Sequence, residues 1–278
     1  MPLREVLAAL DARYNPALAE SWDAVGLVCG DPDEPVRRVV FAVDPISAVV
    51  DDVLAAGAEL LVTHHPLLLT PVHGVPADDP KGRLVHRLIR AKAGLFVAHT
   101  NADRAADHGV NDALAGVLGL RDTVPLEPTD DDPRAGLGRV GELEHAMTLR
   151  EFAARAAAAL PATVGGVRAA GDPERLVRRV AVCGGSGGSL AGAAAEAGAD
   201  VFLTSDLKHH PVSESLESSG PALCDVGHFA TEWPWLPVAA DLLVRDLDAR
   251  VEVSVSRRRT DPWTWHAGQE GTAARPAG

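Results

Sequence analysis

Two histidines stand side by side at His64 and His65, His99 precedes Asp103 by four residues, and His228 precedes Glu232 by four. Imidazole nitrogens and carboxylate oxygens are the donor mixture expected at zinc, iron, manganese or nickel, so metal chemistry is the first candidate. A histidine and a carboxylate four residues apart share one face if they open a helix, where both can reach a common ion or hydrogen-bond partner. Adjacent histidines at a strand end point apart. That makes His64 and His65 poor chelators of one ion but suits two neighbouring ions, one each.

Each cluster follows a short apolar run: LLVT before His64, LFVA before His99, VFLT before Ser205 and Asp206, and LCDV before Gly227 and His228. If these runs are strands of an open α/β sheet, the clusters line its carboxyl edge, where residues distant in sequence converge on ligands. Two other patterns compete. GGSGG from Gly184 fits the Gly-x-Ser-x-Gly nucleophile elbow, with Asp225 and His228 downstream. Its bland alternative is a tight glycine turn whose amides could bind an anion. A second histidine pair, His209 and His210, follows Lys208 and reads either as a rival ligand pair or as a solvated helix start.

The elements that must position these groups are short β-branched or apolar runs, such as 39–43, 60–63 and 95–98, alternating with Ala/Leu-rich helical segments. That alternation predicts an α/β fold with largely parallel or mixed sheets. The second half partly rewrites the first. VRR at Val36 recurs at Val177, and AGAELLVT from Ala56 recurs as AGADVFLT from Ala197, both at an offset of 141 with no gap. Two similarly wound lobes, 1–122 and 136–256, are therefore expected around a central metal-binding cleft. The Asp/Pro-rich stretch within 123–135 would serve as linker, and 257–278 as a tail that is mobile beyond Trp265. Duplication requires that residues 36–63 superpose on 177–204 strand on strand.

With 278 residues, 46% hydrophobic and 23% charged, the chain can bury a substantial core. A formal charge of -13 disfavours a nucleic-acid-binding surface, which draws its affinity from clustered Lys and Arg. Cys29, Cys183 and Cys224 are far apart and form no Cys-x-x-Cys pair, so neither a disulfide framework nor a thiolate zinc site is indicated. The N-terminal helical pattern is interrupted by Arg4, Glu5, Asp11 and Arg13, unlike a signal sequence. No run approaches the roughly 20 apolar residues of a spanning helix. A cytoplasmic location and no membrane partner are the expectations.

Five words, SWDAVGL from Ser21, THHPLL from Thr63, AHTNAD from Ala98, TSDLKHH from Thr204 and GHFATE from Gly227, cover nearly the whole chain. In this order they resemble the Ngg-one-interacting-factor-like family, whose bacterial members bear the name GTP cyclohydrolase 1 type 2 homologue. The resemblance implies a dinuclear site with His64, His65, Asp103, His228 and Glu232 as ligands, Glu232 bridging both ions. It implies for His99 a supporting or substrate-facing place, from which it could shuttle protons as the catalytic group. Asp206 and Lys208 would support the pocket, and Ser186→Ala is expected to disturb neither metal binding nor hydrolysis. Ala24, Ala102 and Ser205 depart from the usual family residues Asn, Leu and Gly without removing a metal-binding atom.

Five ligands leave positions open on two ions, and open positions suggest hydrolysis of a small-molecule substrate, nucleotide or phosphate-containing. The other reading is a non-catalytic metal-binding or metal-delivery protein acting through partners. The resemblance also implies a homo-oligomer, a hexameric ring. Trp22, Trp233 and Trp235, inside or beside the matched words, are expected as pocket walls or interfaces.

Overall fold

The computed structural model describes residues 1–267. The first half runs α1 (Leu3–Arg13), β1 (Gly26–Cys29), β2 (Arg38–Ala42), α2 (Ser47–Ala55), β3 (Leu60–Thr63), α3 (Pro80–Arg90), β4 (Gly94–Val97), α4 (Thr100–Asp103) and α5 (Val110–Leu118). The apolar runs become central strands buried on both faces, as parallel sheets require. Along β2, Val39 and Phe41 join the core under α1, whereas Val40 and Ala42 pack with α2 and α3 on the other face. Asp79 caps α3 by accepting from the amides of Lys81 and Gly82. The helix α5 ends at Gly119, whose φ of +75° is the left-handed exit that glycine adopts without strain.

The second half runs β5 (Arg121–Val124), β6 (Glu127–Pro128), β7 (Gly136–Leu137), β8 (Arg139–Thr148), α6 (Leu149–Ala159), β9 (Val167–Ala170), β10 (Leu176–Val182), α7 (Ala191–Glu196), β11 (Val201–Ser205), α8 (His209–Glu217), β12 (Ala222–Val226) and α9 (His228–Glu232). The chain closes with α10 (Trp235–Asp246) and β13 (Glu252–Val255). Two mixed sheets result, ordered β1-β4-β3-β2-β13 and β5-β8-β10-β11-β12-β9, with β6 and β7 a small ribbon. The duplication is visible in the register. Val39 and Phe41 face Leu60 and Val62, and Val180 and Val182 face Val201 and Leu203, every pair displaced by 141 residues. The order β1-β4-β3-β2 is repeated as β9-β12-β11-β10, with an antiparallel edge strand in both cases.

The lobe boundaries differ from those expected. The proposed linker 123–135 is structured: β5, just before and into it, pairs with β8, and its later residues reach the β6–β7 ribbon. An edge strand bonded on one side and largely exposed needs no apolar run, which is why composition hid it. Nor is 136–256 self-contained, because β13 pairs with β2 in parallel register and α10 packs into the first core through Trp235, Leu236 and Leu243. The chain thus returns to its first sheet after α9. The expectation of a mobile tail beyond Trp265 falls almost wholly outside the described residues. Among those described, no helix is long and apolar enough to cross a membrane.

Arg139 fastens the two halves together. Its guanidinium is buried, donates to both Asp112 oxygens at 2.6 and 3.2 Å, and also to the carbonyls of Ala105, Gly136 and Gly138. Removing one partner of a buried pair strands the other, so Arg139→Met should cost about 3 kcal/mol. Urea unfolding checks this, and an unchanged midpoint would remove Arg139 from the clasp.

Candidate metal centre

The strand ends place the site. The amides of His64 and His65 continue the ladder past β3 by donating to the carbonyls of Ala42 and Val43, at 3.2 and 2.9 Å, which fixes both side chains at the carboxyl edge. His99 caps α4 and Asp103 ends it, while His228 opens α9 and Glu232 closes it. Each histidine and its carboxylate thus lie one helical turn apart, as the spacing predicted.

All four imidazoles are oriented in the same way. The Nδ1 atom of His64 meets the carbonyl of Ala98 at 3.0 Å, that of His65 meets Asp44 at 2.7 Å, that of His99 meets Asp23 at 2.8 Å, and that of His228 meets Asp206 at 2.6 Å. Every partner is an acceptor, so Nδ1 carries the hydrogen and the neutral ring offers its Nε2 lone pair. This is the arrangement that histidine ligands of metals adopt.

Three of those nitrogens converge on two carboxylates. His228 Nε2 lies 2.9 Å and His64 Nε2 3.5 Å from Glu232 Oε1, whereas His65 Nε2 lies 3.2 Å from Glu232 Oε2. His64 Nε2 is also 3.8 Å from Asp103 Oδ1. One ligand atom from each of His65, His228 and Glu232 falls within a 4.8 Å sphere of mutual distances, and so does one from each of His64, His65 and His99.

A cation fits this pocket. With the imidazoles neutral, as ligation requires, His64 Nε2, Asp103 Oδ1 and Glu232 Oε2 are buried without a hydrogen-bond partner, a costly condition that a bound ion relieves. The Nε2 atoms of His65 and His228 stand 3.2 Å apart, and two nitrogens each at about 2.0–2.1 Å from one zinc are separated by roughly that much. Gly185 adds a steric argument. At φ +66°, a Cβ there would come within 2.7 Å of Glu232 Oε1 and 3.1 Å of His228 Nε2, so the GGSGG turn is glycine-rich because backbone lines the pocket.

Electrostatics agree. Burial alone would lower the imidazole pKa values, but Glu232 with the Nδ1 carboxylates outweighs it at His65, pushed up to about 11, and at His228, pushed up to about 9, while Glu232 and Asp103 raise His64. Burial would raise Glu232, yet the three imidazoles hold it well below the usual carboxylate range. Asp103 is raised, by burial first and with Glu232 adding to it, against the pull of His64 and His99. A pocket that binds protons so readily is one that attracts cations.

The competing patterns do not assemble. Ser186 Oγ donates to Asp206, and it is Asp206 that touches His228. The carboxylate stands between the hydroxyl and the imidazole, so no base reaches the serine and the triad logic fails. His209 and His210 are exposed at the start of α8, stacked edge to face on each other, and Lys208 is exposed beside them. Asp206 does support the pocket.

Sequence reasoning missed Asp44 and the part played by Asp23. Both signals were present, since Asp44 follows the run VVFAV at a strand's carboxyl end and Asp23 lies inside the SWDAVGL word. Of the tryptophans, Trp235 is core, donating to the Tyr14 hydroxyl and standing 5.6 Å from the His64 ring. Trp22 is exposed and stands roughly perpendicular to the His99 ring, with centroids 6.0 Å apart. Trp233 donates to the carbonyl of Ser256.

A cleft of about 630 Å³ opens on the His65 and His228 side, with Asp44 and Asp206 in its floor and Thr260, Trp263 and Trp265 in its wall. His99 does not line it. These features define a duplicated mixed α/β protein with a histidine- and carboxylate-lined pocket that could hold metal. The profile of the Duf34/NIF3 (NGG1p interacting factor 3) family matches residues 1–262, and the chain belongs to that family. It is 54% identical to a Streptomyces coelicolor protein named GTP cyclohydrolase 1 type 2 homolog, over 98% of this chain and 97% of that one. A Clostridium perfringens protein of the same name is 34% identical over 95% and 99%. Among solved structures, a Staphylococcus aureus hypothetical protein superposes with a TM-score of 0.87 at 28% identity, covering 96% of this chain and 99% of that one. A Bacillus cereus protein related to NIF3 gives 0.88 at 24% identity with the same coverage, a likeness of fold.

Proposed function

We propose that the chain is a metal-dependent hydrolase that holds two divalent ions, one among His64, Asp103 and Glu232 and the other among His65, His228 and Glu232. The observation that carries this reading is the convergence of three unpartnered buried atoms, His64 Nε2, Asp103 Oδ1 and Glu232 Oε2, in one pocket. Zinc, iron, manganese and nickel all suit the donors, and supply rather than affinity selects among them. Two such ions would acidify a water and stabilise negative charge on a displaced oxygen. The chain itself supplies orientation through the Nδ1 acceptors, an open cleft for a small molecule, and a histidine, His99, backed by Asp23 for proton transfer. The relatives' name makes nucleotides and cyclic amides the first substrates to test, with phosphate esters beside them, and a ring-like homo-oligomer is checked by light scattering.

The test is metal analysis of protein purified without chelator, followed by that substrate screen on loaded and chelated protein. About two ions per chain and chelator-sensitive turnover are expected. Two ions with no turnover would favour metal storage or delivery, and fewer than one ion with any metal would overturn the centre.

Proton release gives a further prediction. In ion-free protein at pH 7 the His65 and His228 pair favours protons beyond the neutral state, because the two pKa values are pushed up to about 11 and about 9. Ligation needs their lone pairs, so loading zinc at pH 7 should release protons, and fewer at pH 10, where His228 is already neutral. A pH indicator in weak buffer reads this, and equal release at both values would contradict it. The sign for stability follows. These raised pKa values contribute stability that is full below about 6.5 and lost as pH rises through about 9 and then 11, so ion-free protein should melt lower across that window.

A further inference from the structure

Resting on the metal reading, we propose that Thr260 and Ser186 are positioning residues of the cleft-side half of the pocket, each fixing through its hydroxyl the carboxylate that orients an imidazole. The same three-part unit occurs three times. Thr260 Oγ1 donates to Asp44 Oδ2 while Asp44 Oδ1 holds His65 Nδ1. Ser186 Oγ donates to Asp206 Oδ2, which also holds His228 Nδ1. Thr100 Oγ1 donates to Asp23 Oδ2, while Asp23 Oδ1 holds His99 Nδ1.

Recurrence at three separate places in the chain argues for a common task. A carboxylate with one oxygen on an imidazole can still swing, and a hydroxyl on its other oxygen, or on the shared one, removes that freedom. Outer partners of this kind set ring orientation and ligand basicity.

The two cleft-side hydroxyls are themselves held in place. Thr260 comes from the segment after β13, where the Ser256 amide donates to the carbonyl of Phe41 at 2.8 Å and the Ser256 carbonyl accepts from Trp233. On its other side Asp261 is buried and accepts from the Trp263 amide at 2.9 Å. Ser186 sits in the glycine turn, which is bound to the site by Gly185 N on Thr231 Oγ1 and Gly184 N on Asn111 Oδ1. Asp206 takes a left-handed φ of +57°, a conformation in which Asp is among the tolerated non-glycine residues. Thr100 also accepts from the Glu20 amide, so its removal would disturb local folding as well.

The geometry carries a selective consequence. In the proposed assignment His65 and His228 serve one ion with Glu232, so both hydroxyls act on that ion; His65 also falls in a group with His64 and His99, and of the two it is Ser186, through His228, that is tied to the cleft-side ion alone.

The experiment measures stepwise zinc affinity by chelator competition and the visible spectrum of the cobalt-loaded full chain, for the wild type, Thr260→Val, Thr260→Ser and Ser186→Ala. Thr260→Val and Ser186→Ala should each weaken one and the same binding step by roughly 10-fold, the low end for loss of an outer partner, and alter the cobalt bands. Thr260→Ser should restore both. Unchanged affinities and spectra would overturn the proposal, as would Thr260→Ser behaving like Thr260→Val, which would assign the effect to packing. Equal weakening of both steps with a lower melting temperature would assign it to folding. Failure of the wild type to bind any ion would overturn the metal reading itself, and this inference with it.

Discussion

Glu232→Gln should empty both halves of the pocket. Its two oxygens face different imidazoles, Oε1 toward His64 and His228 and Oε2 toward His65, at 2.9 to 3.5 Å. No other described carboxylate lies within 4.0 Å of all three imidazoles. The amide keeps the shape but carries no charge and presents an NH2 to one lone pair that it formerly faced as an acceptor. Loss of an outer partner costs about 10–100-fold in metal affinity, and loss of a ligand shared by two ions should exceed that for both. The expected result is occupancy falling from about two ions to less than one per chain, with turnover of any substrate found falling in step. Metal analysis after gel filtration checks it. A variant that still holds two ions would remove Glu232 from the centre and leave its burial among three imidazoles as a structural ion-pair network.

The same glutamate shows why some of the site was legible before the fold. His64, His65 and His228 follow apolar runs closely, and Asp103 and Glu232 lie one helical turn beyond a histidine that does, so sequence spacing already assigns them to one edge and one face. Asp44, Asp23 and Thr260 are different, because what matters in them is which neighbour they touch across gaps of 21, 76 and 216 residues. No local period encodes such pairings. The duplicated strands were readable for the same reason as the ligands, since a gapless repeat preserves register. The returning α10 and β13 were not, because an apolar helix and a short strand look alike whichever sheet receives them. Ser186 was misleading in a specific way: the glycines around it mimic an elbow, whereas their observed task is to let backbone pass Glu232 and His228 closely.

His99→Ala should leave the ions in place and lower the hydrolytic rate. The two proposed donor sets, His64 with Asp103 and Glu232, and His65 with His228 and Glu232, each supply three protein ligands without it. The role proposed for His99 is proton transfer instead. Asp23, its side chain buried, accepts at 2.8 Å from Nδ1, and hydrogen bonds from His99 and Thr100 outweigh the effect of burial and hold the Asp23 carboxyl well below the usual carboxylate range. A permanently charged carboxylate on Nδ1 fixes the tautomer and makes Nε2 the site that takes or gives a proton, the part such a pair plays in hydrolases. General acid–base groups contribute about 100- to 10,000-fold, so the variant should lose that much in kcat with metal content unchanged. Asp23→Asn should act in the same direction, and because the pair works as one unit the double variant should be little worse than His99→Ala alone. The competing possibility is physical and specific, since a His99 nitrogen lies in one ligand group with His64 and His65 and outside the cleft wall. If metal analysis of His99→Ala shows one ion gone, His99 is a ligand, the first ion has four protein donors, and proton transfer must be sought on the cleft side, at Asp44 or Asp206.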